Sequence, residues 1–372
     1  MKVLFHNGKI FTGQRWWRDA SVLIEDSIIK KVSTHFTDKE ASSIDLEGGL
    51  LVPAFIDLQL YGGNGKLFGE HPSVEALTAT YDYCFQGGTL HFLPTVATNA
   101  PEVMVAAIEA VRSYQQQQLP GVLGLHLEGP YINAAKKGAH IEQFIHAPDL
   151  DEVKKLMEVG RGIIKMITLA PENCSQEIIH YLLGEGVLVS AGHTNATYEQ
   201  AMEGFGVGIP MATHLYNAMS PLQHRSPGMV GAIFNHSKVV CSLVADGYHV
   251  DYAAIMVAKK IMGERLFLIT DAVTENKEGF YQHRLNGEKY IVADGTLSGS
   301  ALTMLKAVKN CVQHAGISIE EALRMASMYP ARVMKLDDKL GKIEARYKAE
   351  LVWLSDLLEL RGIYTNGSLL RF

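Results

Sequence analysis

Five polar residues fall in segments of one kind, in which an apolar run ends in an acid or an imidazole beside turn-forming residues. They are Glu128 in His126-Leu-Glu-Gly-Pro130, His193 in Ser190-Ala-Gly-His-Thr194, His214 in Thr213-His-Leu-Tyr-Asn217, His249 in Asp246-Gly-Tyr-His249, and Asp271 in Thr270-Asp-Ala272. Two imidazoles and a carboxylate form a common three-donor shell for a catalytic divalent ion, leaving a position for water or substrate. Glu128, His193 and His214 are the candidate ligands. An ion so held polarises a carbonyl and draws the pKa of water toward ~7. Asp271 then suits a general base that takes a proton from the attacking water and later gives it to a leaving amine. The chemistry these groups allow is metal-assisted hydrolysis of a C–N bond. One such histidine alone would more often be a satisfied structural residue than a ligand. Five groups at the same end of consecutive strands are harder to read that way.

Groups so far apart in sequence need a scaffold that gathers them. Between Pro53 and Met334 the pattern alternates strand and helix. The expected strands are Ala54–Leu58, Thr89–Leu93, Val122–Leu127, Ile164–Leu169, Val187–Ser190, Met211–Thr213, Val239–Val244 and Leu266–Thr270. Runs with helical spacing, such as Val74–Phe85, Glu102–Gln117 and Tyr252–Met262, lie between most of them. Eight such units in 282 residues match an α/β (β/α)8 TIM-like barrel, typically ~250 residues, whose active sites form where strands end. An open doubly wound sheet fits less well, because Gly62-Gly63-Asn64-Gly65 lacks the GxGxxG spacing. The ends of the chain read differently. Val3–Phe5 and Lys9–Phe11 flank Asn7-Gly8, a hairpin signal. Ser21–Glu25 and Ile28–Val32 flank Asp26-Ser27, and Gly362–Thr365 and Leu369–Phe372 flank Asn366-Gly367 after Leu351–Leu354. The expectation is a small β-sandwich domain from residues 1–52 and 335–372, with the barrel, 53–334, inserted.

Composition narrows the function classes. The chain is 47% hydrophobic and 20% charged, with a net charge of −6, so it can bury a large core and is a poor binder of nucleic acid by bulk phosphate neutralisation. No apolar stretch reaches the ~18 residues of a membrane span. Cys84, Cys174, Cys241 and Cys311 form no CxxC pair, and the first residues lack a signal-peptide pattern; the expectation is a reducing, cytoplasmic setting.

Six blocks in fixed order carry a resemblance over nearly the whole chain. They are Gly124-Leu-His-Leu-Glu-Gly-Pro130, Thr168-Leu-Ala-Pro-Glu172, Ser190-Ala-Gly-His-Thr-Asn-Ala-Thr197, Thr213-His-Leu-Tyr-Asn-Ala-Met219, Ala245-Asp-Gly-Tyr-His-Val250 and Gly295-Thr-Leu-Ser-Gly-Ser-Ala301. The sequence resembles the N-acetylglucosamine-6-phosphate deacetylases of the amidohydrolase superfamily. The resemblance implies a metal-dependent hydrolase acting on an amino-sugar phosphate, with Glu128, His193 and His214 as ligands of one divalent ion and Asp271 as acid/base. It implies Asn217 and Ala218 at the substrate phosphate, with His249 holding the sugar phosphate. It implies Arg225 reaching that phosphate from the neighbouring subunit of a homodimer. His140 would contact the amide carbonyl, with Ala139 beside it in the substrate site, and Leu297, Ser298 and Gly299 would line the pocket.

Two departures refine this. Many amidohydrolases carry His-x-His after the first strand for a second metal, whereas this chain has Gln59 and Tyr61, both poor ligands, so one ion per chain is expected. Lys165 sits near the start of the fourth strand, too far from its end to be the carboxylated lysine of some relatives. Zn2+ is the first expectation, and Fe2+ and Co2+ also suit the donors. Two alternatives stand beside this reading: action on the galactosamine epimer, and a barrel that binds sugar phosphate without catalysis.

Overall fold

A computed structural model describes residues 2–34 and 36–372. Contacts divide the chain into two compact units, one of Met1–Ile56, Phe85–Leu90 and Met304–Phe372, the other of Asp57–Cys84 and His91–Thr303. The segment 304–334, expected with the barrel, falls in the first unit.

In the first unit the strands form one hydrogen-bonded sheet in the order Ser368–Arg371, Leu360–Thr365, Leu351–Leu354, Leu50–Pro53, Lys2–Phe11, Trp16–Glu25, Ile28–Thr34, with Ser42–Asp45 beside the first half of Lys2–Phe11. Both ends of the chain thus build a strand-rich domain, as expected. Phe5, Ile10, Val22, Ile24, Leu51, Leu351, Trp353 and Tyr364 share its core. Asn7-Gly8 corrects the sequence reading. It is no hairpin but a bulge within the continuous strand Lys2–Phe11, where the register to Trp16–Glu25 shifts between Phe5 and Gly8. Asn7 has φ 56°, and the extra residue flips the alternation, so Val3 and Phe5 before it and Ile10 after it all reach the core. The hairpins at Asp26-Ser27 and Asn366-Gly367 form as read.

The barrel sheet runs in chain order through Phe55–Leu60, Thr89–Ala97, Leu125–Glu128, Ile164–Leu169, Leu188–Ala191, Met211–Ala212, Val240–Val244 and Leu266–Ile269. All eight expected strands are present, each within a few residues of its expected bounds. Their near-continuous burial is what a parallel sheet covered on both faces demands. The sheet closes between the last strand and the first: Asp271 N–H donates to Gln59 O (3.0 Å) and Tyr61 N–H to Ala272 O (2.8 Å).

Helix starts fix the loops at the strand ends. Thr197 closes a capping box with Gln200 for Tyr198–Val207, Asp251 caps Tyr252–Met262, and Ser175 caps Gln176–Gly184. The chain after His193 and after His249 therefore has only a few residues before it is committed to a helix. Among the described residues, no helix is long and apolar enough to cross a membrane.

Asp57 fastens the closure from below. Its buried carboxylate accepts from Thr270 Oγ1 (2.5 Å), Thr270 N–H (3.2 Å) and Gln59 N–H (3.2 Å). Burial outweighs these bonds and pushes its pKa from 3.8 to about 7. A folded-state pKa above the unfolded one means stabilisation that is complete below the ordinary carboxylate value and is lost as pH rises through about 7. Asp57→Asn, which keeps the shape without the charge, should therefore gain on the parent as pH rises from 5 to 8, by a few °C in Tm. The same Tm difference at both pH values would show that the parent carboxyl is ionised in the fold.

Candidate active site

At the carboxyl ends of the barrel strands a pocket encloses about 850 Å3 including its open mouth. Glu128, His140, His193, His214, His249 and Asp271 all line it. Three of these sit on backbone that L-residues seldom adopt: His193 (φ 47°), His214 (φ 39°) and Asp271 (φ 55°). Such strain, on the order of 1–3 kcal/mol each, persists only where neighbours over-determine it. Gly129, after Glu128, has φ 89°, and a Cβ there would lie 2.1 Å from Thr98 Oγ1. No other residue type fits that turn without displacing Thr98.

Glu128 is the centre of the cluster. Its Oε1 lies 3.1 Å from His214 Nε2 and 3.3 Å from His193 Nε2, and its Oε2 lies 3.1 Å from His140 Nε2. Burial works to raise the Glu128 carboxyl, but the three imidazoles together outweigh it and hold it well below the usual range. In His214, burial lowers the pKa, and the bond to Glu128 and its charge more than restore it.

The ring partners separate two roles. His193 Nδ1 faces Lys136 O at 2.9 Å. A carbonyl only accepts, so the proton of a neutral His193 is on Nδ1 and its Nε2 presents a lone pair. That lone pair points at His214 Nε2 (3.0 Å) and Glu128 Oε1. His140 is the opposite case. The backbone N–H of Thr98 donates to its Nδ1 (3.3 Å), so Nε2 carries the proton and donates to Glu128. Burial, the largest influence, lowers the pKa of His140 to about 4, which keeps it neutral. By distance alone Glu128, His140 and His193 form a group able to hold a metal ion. The hydrogen bonding favours His214 over His140 as the third ligand. Two imidazole nitrogens 3.0 Å apart beside one carboxylate oxygen are a donor set that suits a divalent cation. His214 Nδ1 is buried without a hydrogen-bond partner; its backbone N–H is held instead by Ser242 Oγ (2.8 Å).

Gln59 and Tyr61 connect this cluster to Asp271. Gln59 Nε2 lies within hydrogen-bond distance of Glu128 Oε1 (2.9 Å), Asp271 Oδ1 (3.0 Å) and Tyr61 Oη (2.8 Å). Tyr61 Oη donates to Glu128 Oε2 in a short bond. Burial first, then the two carboxylates, raise the Tyr61 phenol well above its ordinary value, so it remains a donor. Sequence reasoning read both residues only as non-ligands and missed this bridging. Burial raises the pKa of Asp271, with the nearby imidazoles of His249 and His214 opposing it. His249 stands between two acids, with Nδ1 2.6 Å from Asp246 Oδ2 and Nε2 3.5 Å from Asp271 Oδ2.

The remaining expected residues divide clearly. Ala139, Asn217, Ala218, Leu297, Ser298 and Gly299 line the pocket. Arg225 does not; it is exposed at a tight turn closed by Gln223 and Ser226. Tyr281 and His283, which no motif singled out, also line the pocket. Tyr281 Oη donates to Thr98 O (2.6 Å), and His283 Nδ1 pairs with Ser298 Oγ (2.9 Å). His126 is the structural histidine of the set. It lies between Thr95 Oγ1 (3.2 Å) and Thr168 Oγ1 (2.8 Å), and burial lowers its pKa to about 3.

Comparison with known proteins bears on this geometry. The amidohydrolase family profile matches residues 50–367. An N-acetylglucosamine-6-phosphate deacetylase of Haemophilus influenzae is 35% identical over 99% of both chains. An N-acetylgalactosamine-6-phosphate deacetylase of Shewanella sp. is 33% identical over 97% of this chain and 94% of its own. The crystal structure of N-acetylglucosamine-6-phosphate deacetylase from Pasteurella multocida superposes with a TM-score of 0.96 at 35% identity, covering 100% of each chain. An aspartate-to-alanine variant of the Mycobacterium smegmatis deacetylase, in complex with N-acetyl-D-glucosamine-6-phosphate, gives 0.92 at 27% identity over 99% of each. The chain therefore belongs to the amidohydrolase family, and its likeness there is to the amino-sugar-phosphate deacetylases.

Proposed function

We propose that the chain hydrolyses the acetamido group of N-acetyl-D-glucosamine 6-phosphate to D-glucosamine 6-phosphate and acetate. The observation that carries this reading is the meeting of Glu128, His193, His214 and Asp271 in one pocket, in a chain 35% identical to a deacetylase of that name. Glu128, His193 and His214 would hold one divalent ion, Zn2+ foremost, with Fe2+ and Co2+ suited to the same donors. When bound, such an ion polarises an amide carbonyl and acidifies a water.

The chain's own groups supply the rest. Asp271 takes a proton from water as it attacks the acetamide carbonyl carbon, and returns that proton to the amine as the C–N bond breaks. His140, neutral with its proton on Nε2, would exchange its bond to Glu128 Oε2 for one to the carbonyl oxygen. Gln59 and Tyr61 hold Glu128 and Asp271 in fixed relation through their donors, so neither acid has to reorganise during the reaction. Asn217, the Ala218 backbone and His249 would bind the sugar phosphate, while Ala139, Leu297, Ser298 and Gly299 shape the wall. Phosphate binding far from the amide then orients the reacting group.

Arg225 would complete the phosphate site of a second copy of the chain. Its exposure at a loop tip, away from its own pocket, supports a role across an interface. Leu222, on the same loop, and Met256, Val257 and Ile261 of Tyr252–Met262 leave apolar surface exposed for such a contact. Relatives that act on the galactosamine epimer are 33% and 32% identical, so both sugars belong in the assay.

Acetate release from N-acetylglucosamine 6-phosphate should be clear with the purified protein and lost after chelation; full activity without divalent ions would overturn the reading. A faster rate on the galactosamine epimer would reassign the substrate and leave the chemistry in place. Asp271→Asn should lower kcat at least ~10²-fold while bound metal, measured by elemental analysis, stays near that of the parent. Near-normal turnover would place the base elsewhere. Arg225→Ala should cost ~2–5 kcal/mol in kcat/KM for the phosphorylated sugar and little for N-acetylglucosamine. Mixing Arg225→Ala with Asp271→Asn should restore activity, because a mixed dimer contains one complete site; mixtures no better than the separate variants would exclude the exchange.

A further inference from the structure

Barrel strand four, Ile164–Leu169, ends in the block Thr168-Leu-Ala-Pro-Glu172 and contributes no group to the cluster around Glu128. We propose that Glu172 is the positioning residue that holds His193 in place as a metal ligand, gripping it from both the backbone side and the ring side. The inference rests on the reading of Glu128, His193 and His214 as the metal site.

The backbone side comes first. Glu172 sits in the short turn Pro171–Asn173 after strand four. Its Oε2 accepts from Thr194 Oγ1 (2.5 Å) and its Oε1 from Asn195 N–H (2.7 Å). These are the two residues that follow His193, whose own φ of 47° is one that a histidine rarely adopts. Thr194 N–H in turn donates to Ala218 O (3.0 Å), which ties the same stretch to the loop that carries His214. A charged carboxylate accepting two bonds just beyond a strained residue is a strong restraint, since bonds to ionised groups are worth about twice neutral ones.

The ring side runs through Asn133. Glu172 Oε1 also accepts from Asn133 Nδ2 (3.0 Å). Asn133 Oδ1 caps Ala135 N–H (2.9 Å) at the start of the turn Ala134–Lys136, and Asn133 N–H donates to His193 O (2.8 Å). Lys136, the last residue of that turn, supplies the carbonyl that accepts from His193 Nδ1 (2.9 Å). One carboxylate therefore restrains both the peptide that carries His193 and the turn whose carbonyl sets its tautomer. Groups that orient a ligating histidine in this way typically govern 10–100-fold in metal affinity.

The test is Zn2+ affinity, measured by competition with a coloured chelator, together with the melting temperature of the metal-free protein. Glu172→Ala should raise the Kd for Zn2+ about 10–100-fold with the metal-free protein still folded at the assay temperature. Glu172→Gln should recover part of the loss. Its carbonyl, set where Oε1 stands, can still accept from Asn195 N–H and Asn133 Nδ2, but its amide then faces Thr194 Oγ1, which can no longer donate there, and the bonds that remain lack the charge of the carboxylate. A role confined to packing would lower the melting temperature and leave the Kd of the folded protein within about twofold of the parent, which would overturn the proposal. If Glu172→Ala is recovered unfolded, Thr194→Val, which deletes the donor to Glu172 together with the acceptor for Ala196 N–H, should weaken Zn2+ binding about 2- to 10-fold; an unchanged Kd there would overturn it equally. A parent protein that binds no Zn2+ would overturn the metal-site reading and this inference with it, whereas a binding parent and an equally tight Glu172→Ala would overturn this inference alone.

Discussion

A carboxylate buried without water is too costly to keep unless positive charge or donors surround it. Glu128 meets that condition with donors from His140, Gln59 and Tyr61, and with His193 and His214 beside Oε1, where a cation would be held. The demand explains much of the surrounding structure. These five partners come from four separate parts of the chain, and only a closed barrel brings the end of strand one, which carries Gln59 and Tyr61, beside the end of strand eight, which carries Asp271. Closure and site are one construction: the bonds from Asp271 N–H to Gln59 O and from Tyr61 N–H to Ala272 O both seal the sheet and set the residues that face the acids.

The same imidazoles are made unequal by what lies behind them. His193 is backed by a carbonyl and His140 by a backbone N–H, so one presents a lone pair and the other a proton. His126 is backed on both sides by threonine hydroxyls and stays outside the chemistry. Three histidines of one chemical type thus become candidate ligand, donor and structural strut through atoms that are main chain or hydroxyl. Asp246 does for His249 what Lys136 O does for His193: it occupies Nδ1 and leaves Nε2 facing the pocket.

Much of this was legible in the sequence. The barrel strands could be read because parallel strands covered on both faces become short apolar runs bounded by turn residues, and Ile164–Leu169 was bounded to the residue. The cluster could be read because an acid or a histidine directly after such a run has few other reasons to be there. Asn7-Gly8 misled because the dipeptide favours left-handed backbone equally in a hairpin and in a bulge, and only the partner strand decides between them. Lys136 contributes a carbonyl, which no side-chain type announces. Glu172 stood in a quoted block with no role, since its three donors come from Asn133, Thr194 and Asn195 and are adjacent only once strands three, four and five are side by side. Tyr281 and His283 gave no signal because they lie in the long excursion after strand eight, where neither period nor spacing marks a direction.

The terminal sheet carries a consequence for how the chain is made. Leu50–Pro53 has Lys2–Phe11 on one side and Leu351–Leu354 on the other, so this central strand waits for a partner that is synthesised only after the whole barrel. Until then it offers an open edge of apolar residues, a template for pairing with another nascent chain. Contacts so distant along the chain are slow to form, and domains generally fold as units during synthesis. The pocket-bearing unit can therefore be assembled during synthesis while its β companion is still half built, and through that interval the edge of Leu50–Pro53 stands open.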